Sequence, residues 1–205
     1  MRNICSIIHI LAIFAFSIVG DLVYSYDTIT GEVTQKEVTA VFVRESDHIN
    51  YLTIIDEHGN IHVLETTDGH PFWVVTDEPD LSRAASDYSD GLYHGNLAPD
   101  LNGYWVEAKD LRSGDVFLGA NGELSVLVSV ERVQFDETIK VYNFTVDGNH
   151  DYFVLAQVGD YGQTCILVHN AKKYGGETSA TKRGREAHKN YENALPPQAM
   201  SLIKQ

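Results

Sequence analysis

The sequence predicts an all-β domain, and three observations support that prediction. Short runs rich in Val, Ile, Thr and Tyr recur between residues 21 and 170, with turn-forming residues between them. No segment in this range shows a helical hydrophobic period of useful length. After Ala171 the chain becomes polar and helix-leaning. We therefore expect a compact, strongly bent sheet in the body of the chain, followed by a separate short tail.

The predicted strands follow one another around short turns. The segments 56–59 and 119–122 both end in glycine, which is typical of hairpin turns. Residues 76–103 interrupt the pattern, and a loop of this length in a compact domain indicates an insertion or a functional segment. The predicted strands are 22–26, 32–43, 49–55, 60–65, 71–75, 104–108, 115–118, 124–133, 139–146, 152–157 and 164–168.

The N-terminal residues 1–19 are expected to be a signal peptide or a marginal membrane anchor. One arginine precedes the mostly apolar run 4–19, which is shorter than the roughly twenty residues of a membrane span. A buried core element of a misassigned start is the third interpretation. The first two predict a secreted or membrane-associated protein that meets a membrane, if at all, through residues 4–19.

Charge separates the body of the chain from its tail. The formal net charge of the 205 residues is −14, which excludes nucleic acid and anionic membrane as partners of the main body. The tail contains seven Lys and Arg residues and only three Glu residues. This change of sign predicts that 172–205 is a separate module with a partner of its own.

The strongest chemical signal is the pair His169-Asn170, which ends the last predicted strand. The side-chain amide of an asparagine can attack its own backbone carbonyl, which closes a succinimide and cuts the chain behind it. A neighbouring acid that protonates the departing amine accelerates this reaction, and His169 is next to the bond in question. Judged alone, the dipeptide is common at strand ends, and a surface turn is the favoured interpretation.

Two further histidines lie where their rings have a defined direction. Pro71 restricts His70 to extended geometry, and Thr67 lies three residues before His70. His150 follows a glycine-containing turn and stands at the mouth of the next predicted strand. Both histidines also fit the simpler interpretation of polar turn residues.

The sequence predicts no metal and no other cofactor. A metal set of His58, His62, His70 and His94 is conceivable, but His58 and His62 lie in a hairpin and so do not share a face as paired helical ligands do. Cys5 and Cys165 have no spacing typical of a zinc site or a disulfide framework. The chain also lacks a glycine-rich phosphate loop.

Three blocks, in this order, resemble the Hint (hedgehog/intein) family, and most closely the pretoxin Hint domains of bacterial polymorphic toxins. The segments 20–26 and 105–115 are similar to structural strands of the same family. The resemblance covers residues 20–171 and implies an all-β horseshoe of short strands with pseudo-twofold symmetry. The three blocks are Thr67-x-x-His70-Pro71-Phe72, Val141-Tyr142-Asn143-Phe144-Thr145-Val146 with His150, and Val168-His169-Asn170.

The resemblance also implies roles for the site residues. Asn170 matches the cyclising asparagine, His169 the histidine that assists it, and His150 the histidine that orients it. Thr67 and His70 match the pair that activates the peptide bond at the first residue of the domain. The implied substrate is the chain's own C-terminal segment.

Three departures from the family pattern argue against protein splicing. An N-terminal Cys or Ser nucleophile and its strand are missing from 1–19, and Asn143 stands where many inteins carry Asp. Ala171 replaces the Ser, Thr or Cys that would accept the transferred chain. What remains is cleavage at Asn170–Ala171, which is at most single-turnover autoproteolysis.

The tail shows a second, separate resemblance to a known class of protein domain. The run 181–191 resembles the opening of restriction-endonuclease-like toxin domains, so 172–205 is expected to be a partly helical, truncated start of a toxin domain without nuclease activity. A solvated basic helix is the equal alternative. For the whole chain, the alternative to self-processing is a non-catalytic secreted or membrane-tethered β domain, a degraded toxin fragment.

Overall fold

The structure is a computed structural model that describes residues 19–27, 30–85, 102–148, 151–158 and 161–169. By its internal contacts the chain divides into Met1–Ala171 and Lys172–Gln205. The second unit, with the predicted tail helix, lies outside the described residues, as do residues 1–18 of the predicted leader. Among the described residues, no helix has the length and apolarity needed to span a bilayer.

The prediction of an all-β domain is confirmed. Two short 3-10 helices, Leu81–Arg83 and Ala108–Asp110, accompany the strands. The strands are β1 (Leu22–Tyr26), β2 (Val33–Ile55), β3 (Ile61–Thr66), β4 (Pro71–Val75), β5 (Gly103–Glu107), β6 (Val116–Leu118), β7 (Leu124–Val146), β8 (Asp151–Val158) and β9 (Tyr161–His169).

Strands β2 and β7 are each continuous over 23 residues, where the sequence predicted two shorter strands each. They pair with each other antiparallel from Val38↔Val146 to Ile55↔Val126. The segments predicted as breaks are polar because both faces of this ribbon meet solvent there, and a register shift between Ser46 and His48 absorbs the irregularity. A polar run was therefore mistaken for a turn.

The strands form one nearly closed sheet. Its order is β1-β2-β7-β6-β4-β9-β8, with β3 added to β2 and β5 added to β4. The two ends of this path, β1 and β8, come together through side-chain contacts: Asp151 at the start of β8 accepts hydrogen bonds from Ser25 Oγ at 2.9 Å and from the Tyr26 backbone N–H at 2.8 Å. Asp151 thus joins the two edges of the sheet.

Two hydrophobic cores lie on opposite faces of the β8–β9 hairpin. Successive side chains of a strand point to opposite faces, so Tyr152 and Val168 join the larger core while Phe153 and Leu167 join the smaller one. The smaller core also holds both tryptophans, which pack edge to face with ring centroids 5.2 Å apart. Each residue of the hairpin is therefore assigned to one of two separate environments.

At Gly103, β5 packs against β4 without room for a side chain. A Cβ atom there would lie 2.5 Å from the Val74 carbonyl oxygen and 2.6 Å from the Trp73 ring. We expect Gly103→Ala to lower the free energy of unfolding by about 1–3 kcal/mol through overpacking, measured by chemical denaturation. Gly69→Ala is the matched control, because nothing lies within 4 Å of its Cβ position; equal losses in both variants would contradict the packing argument.

Candidate functional site

The candidate site lies at the end of the sheet where β4, β8 and β9 meet. Asp151 pairs with His169 at the open end of the β8–β9 hairpin, and Phe72 on β4 pairs with Val168 on β9. These two pairings bring the predicted His70 and His169 blocks to the same end of β9. His150 and Asn170, each one residue beyond a described strand, lie outside the described residues.

The turn that carries His70 is held from three sides. Its backbone N–H donates to the Thr67 carbonyl oxygen at 3.2 Å, and its own carbonyl accepts from the Ala108 N–H at 2.9 Å. The turn residue Asp68 accepts a hydrogen bond from Asn50 Nδ2 on β2 at 2.7 Å. The predicted Thr67 and His70 are therefore one rigid turn, in which Thr67 closes the turn through its backbone.

His70 belongs to a hydrogen-bonded chain on the larger-core face. Its Nε2 lies 3.4 Å from the Tyr152 hydroxyl, which in turn donates to Asn143 Oδ1 at 3.2 Å. The Phe144 ring stacks against Tyr152 with centroids 4.2 Å apart, and Phe72 contacts His70 edge to face at 5.7 Å. The turn before β4 and the strands β7 and β8 thus supply three hydrogen-bonded side chains, which aromatic rings surround.

Burial decides the charge of this group. Desolvation lowers the pKa of His70, which is partly exposed, from 6.5 to about 4, so the imidazole is neutral at pH 7. Burial also raises the pKa of the Tyr152 phenol. His70 contributes stability that is present above pH 6.5 and is lost as the pH falls through about 4. At neutral pH the His70 ring is therefore uncharged, with one N–H donor and one acceptor nitrogen.

His169 lies on the opposite face of the hairpin. Its ring packs edge to face against Trp105 of β5, with centroids 5.0 Å apart, and the residue is 7% exposed. Asp151, its cross-strand partner, is 1% exposed and carries the two hydrogen bonds from β1. The two predicted histidines that the structure describes are therefore separated by the sheet itself.

Asp151 is a buried titratable group whose charged form is disfavoured in this region. Burial raises the pKa of its carboxyl to about 7, although the Tyr26 N–H and Ser25 hydroxyl favour the carboxylate. Asp27 raises the pKa further and Lys36 lowers it. Near neutral pH the residue therefore exchanges a proton while it joins β1 to β8.

Sequence reasoning missed three residues of this site: Tyr152, Asp151 and Trp105. Tyr152 and Asp151 lie in the same block as His150, so their position in a predicted strand start was a usable signal. Asn143 was noted only as a departure from the family pattern, whereas its side chain is the acceptor that ends the hydrogen-bonded chain. Trp105 gave no functional signal, because its role depends on which strand packs beside β9.

The four histidines considered as a conceivable metal set, His58, His62, His70 and His94, do not form a cluster in the part of the chain that the structure describes. His62 is fully buried and its Nε2 pairs with Asp56 Oδ2 at 2.9 Å, and His94 lies outside that part. At the tips of two exposed turns, the possible ligand atoms of Glu57, His58 and Glu123 lie within 4.8 Å of one another. Cys165 on β9 is disulfide-bonded, which the sequence analysis did not predict.

Comparisons with known proteins agree with the all-β fold. The family described as the pretoxin HINT domain matches residues 7–79 and 97–171, so part of the segment predicted as a leader is matched and part of the predicted insertion is not. No curated protein matches the chain. The sequence-based domain boundaries stay a prediction.

Solved structures similar to this chain include intein-like domains and inteins. The bacterial intein-like domain from Clostridium thermocellum is 30% identical, with 74% of this chain and 83% of that chain covered and a TM-score of 0.51. The PabCDC21-1 intein is 18% identical, with coverages of 73% and 70% and a TM-score of 0.47. The DnaB intein from Synechocystis sp. is 14% identical, with coverages of 75% and 80% and a TM-score of 0.46.

The raised pKa of Asp151 predicts a stability that falls as the pH rises. The folded state holds the Asp151 proton up to about pH 7, whereas the unfolded chain releases it near 3.8, so this contribution is complete below pH 3.8 and is lost between 3.8 and 7. We expect Asp151→Asn, which keeps an acceptor for both hydrogen bonds, to be more stable than the wild type at pH 8 by up to about 4 kcal/mol.

Denaturation curves at several pH values measure this effect as the difference between the variant and the wild type. Asp136→Asn makes the same charge change at an exposed position of β7 and should leave the pH dependence unchanged. Parallel pH profiles for wild type and Asp151→Asn would contradict the assignment.

Proposed function

Because the chain belongs to the pretoxin Hint domain family, we propose that this autoprocessing domain cuts its own chain between Asn170 and Ala171 by cyclisation of Asn170. The observation that carries the proposal is the convergence of the His70 turn and the His169 strand end on the same part of the sheet.

The proposed reaction is intramolecular. The Asn170 side-chain nitrogen attacks the Asn170 carbonyl carbon, so a C–N bond forms and the bond to the Ala171 nitrogen breaks. The attacking nitrogen loses one proton and the Ala171 nitrogen gains one. The products are a succinimide at the new C-terminus and a free amine on the released segment 171–205. General acid and base groups accelerate this step because both protons move while the bonds change.

Strand geometry supports this assignment. Consecutive Cα atoms are about 3.8 Å apart, so chain connectivity alone keeps Asn170 next to His169 and keeps His150 next to Asp151. Asp151 and His169 are cross-strand partners. The proposed nucleophile directly follows His169 in the chain, and the proposed orienting histidine directly precedes Asp151. The hairpin therefore supplies the positioning that an unassisted asparagine lacks.

The environment of His169 supports its role as the acid. The Trp105 ring fixes the direction of the imidazole, and the peptide bond to be cut begins one residue later. An alanine at 171 has no side-chain nucleophile, so the expected outcome is release of 171–205 rather than ligation. We propose that this basic segment is the start of the effector that the domain frees outside a bacterial cell.

Intact-mass measurement of the purified chain over days at neutral pH tests the proposal. We expect two products that correspond to cleavage after residue 170, with a succinimide or its hydrolysis product on the N-terminal part. Asn170→Ala should abolish both products, because it removes the attacking nitrogen. His169→Ala should slow their formation by about 100-fold or more, the size of a general acid contribution.

Asn121→Ala is the matched control. Asn121 precedes Gly122 on an exposed turn, where asparagine also forms succinimides, and its loss should leave the cleavage products unchanged. A wild-type chain that shows no product of either mass would overturn the proposal and leave the non-catalytic β domain as the function.

A further inference from the structure

We propose that Tyr152 and Asn143 are positioning residues that hold His70 as the Nε2–H tautomer, with a bare Nδ1 that accepts a proton. Neither residue reacts. Together they decide which end of the His70 ring acts as a base. The proposal rests on the direction of the hydrogen bonds between the three side chains, which can be followed from the backbone outward.

The first step fixes the identity of the Asn143 atom. The Phe144 backbone N–H lies 2.8 Å from Asn143 Oδ1. A backbone N–H is always a donor, so the Asn143 atom that faces it has to be the carbonyl oxygen, because the amide nitrogen would place two donors against each other. The orientation of the Asn143 amide is therefore set by its own chain.

The second step fixes the Tyr152 proton. The same Asn143 oxygen lies 3.2 Å from the Tyr152 hydroxyl, and since this oxygen only accepts, the hydroxyl has to donate its single proton to it. Tyr152 has little freedom to do otherwise, because its side chain is 1% exposed and its ring packs on Phe144 at 4.2 Å. What remains on the Tyr152 oxygen are lone pairs.

The third step transfers this constraint to His70. Its Nε2 lies 3.4 Å from the Tyr152 oxygen, a long hydrogen bond in which Nε2 has to carry the proton. A neutral imidazole has one N–H only, and burial lowers the pKa of His70 well below neutral pH. The proton on Nε2 leaves Nδ1 as a lone-pair acceptor, which is the form required of a base.

The catalytic part of this inference rests on the proposed function. Cyclisation needs a group that takes the proton from the Asn170 amide nitrogen. His70 precedes Phe72 by two residues, and Phe72 pairs with Val168, two residues before Asn170. His70, in the turn before β4, is the base that we infer for this step, which differs from the role at the first peptide bond of the domain that the family resemblance implies. The tautomer itself does not depend on whether the chain cleaves.

Heteronuclear NMR of nitrogen-labelled histidine tests the tautomer directly. The experiment uses the Asn170→Ala variant, which stays intact. The nitrogen chemical shifts of the His70 ring distinguish a protonated nitrogen from an unprotonated one. We expect protonated Nε2 and bare Nδ1 at pH 7. In Asn143→Leu the Tyr152 hydroxyl loses its acceptor and turns its proton to Nε2, so the major tautomer should become Nδ1–H.

Two further variants separate the effect from loss of structure. Asn143→Asp keeps an acceptor for Tyr152, so the Nε2–H tautomer should persist while the added negative charge raises the pKa of His70. Tyr152→Phe removes the hydroxyl and should give a mixture of His70 tautomers. In a chain that keeps Asn170, the same substitution should slow cleavage about 10-fold. Tyr104→Phe, another buried tyrosine of the same core, is the control and should change neither readout.

The outcomes distinguish this inference from the proposed function. An Nδ1–H tautomer in the wild type, or an unchanged tautomer in Asn143→Leu, would overturn the positioning role whether or not the chain cleaves. The expected tautomers together with a chain that never cleaves would reject the proposed function and retain the hydrogen-bond direction. A wild-type rate in Tyr152→Phe would reject the catalytic part alone.

Discussion

Side-chain alternation along the β8–β9 hairpin is the constraint on which the candidate site depends. Because neighbouring residues of a strand point to opposite faces, Tyr152 and Asp151 enter different environments although they are adjacent in sequence. Tyr152 meets His70 and Asn143 on one face. Asp151 meets β1 on the other face, where His169 packs against Trp105. One hairpin therefore holds two separate chemical environments at a single strand end.

This separation gives the two faces different electrostatic properties. On the larger-core face, desolvation keeps His70 neutral. The Tyr152 hydroxyl and the Asn143 amide complete its hydrogen-bonded chain without adding charge. The smaller-core face holds a carboxyl whose pKa is raised to about 7, which makes it sensitive to pH near neutrality. The two histidines of the proposed reaction therefore lie in separate environments of the hairpin.

Sheet closure ties these properties to the rest of the molecule. The long pairing of β2 with β7 brings Asn143 and Asn50 into reach of the His70 turn, one through Tyr152 and the other through Asp68. The bonds between Asp151 and β1 bring the first strand to the last hairpin. Residues from the beginning, middle and end of the body thus meet, as a nearly closed sheet requires.

The sequence by itself determined the strand class and several turns of this protein, because two-residue alternation and glycine-containing turns are local properties. It also selected Thr67, His70 and His169, whose chemistry is visible in short motifs. It divided β2 and β7 wrongly, because polar residues in a solvent-exposed ribbon look the same as a turn.

Only the tertiary structure decided the partners of the selected residues. Tyr152 lies 82 residues from His70 in sequence, and Ser25 lies 126 residues from Asp151. Whether such residues meet depends on strand register, since a shift of one residue moves a side chain to the other face. The neutral state of His70 and the raised pKa of Asp151 follow from that register, because burial and hydrogen-bond partners exist only after the sheet has closed.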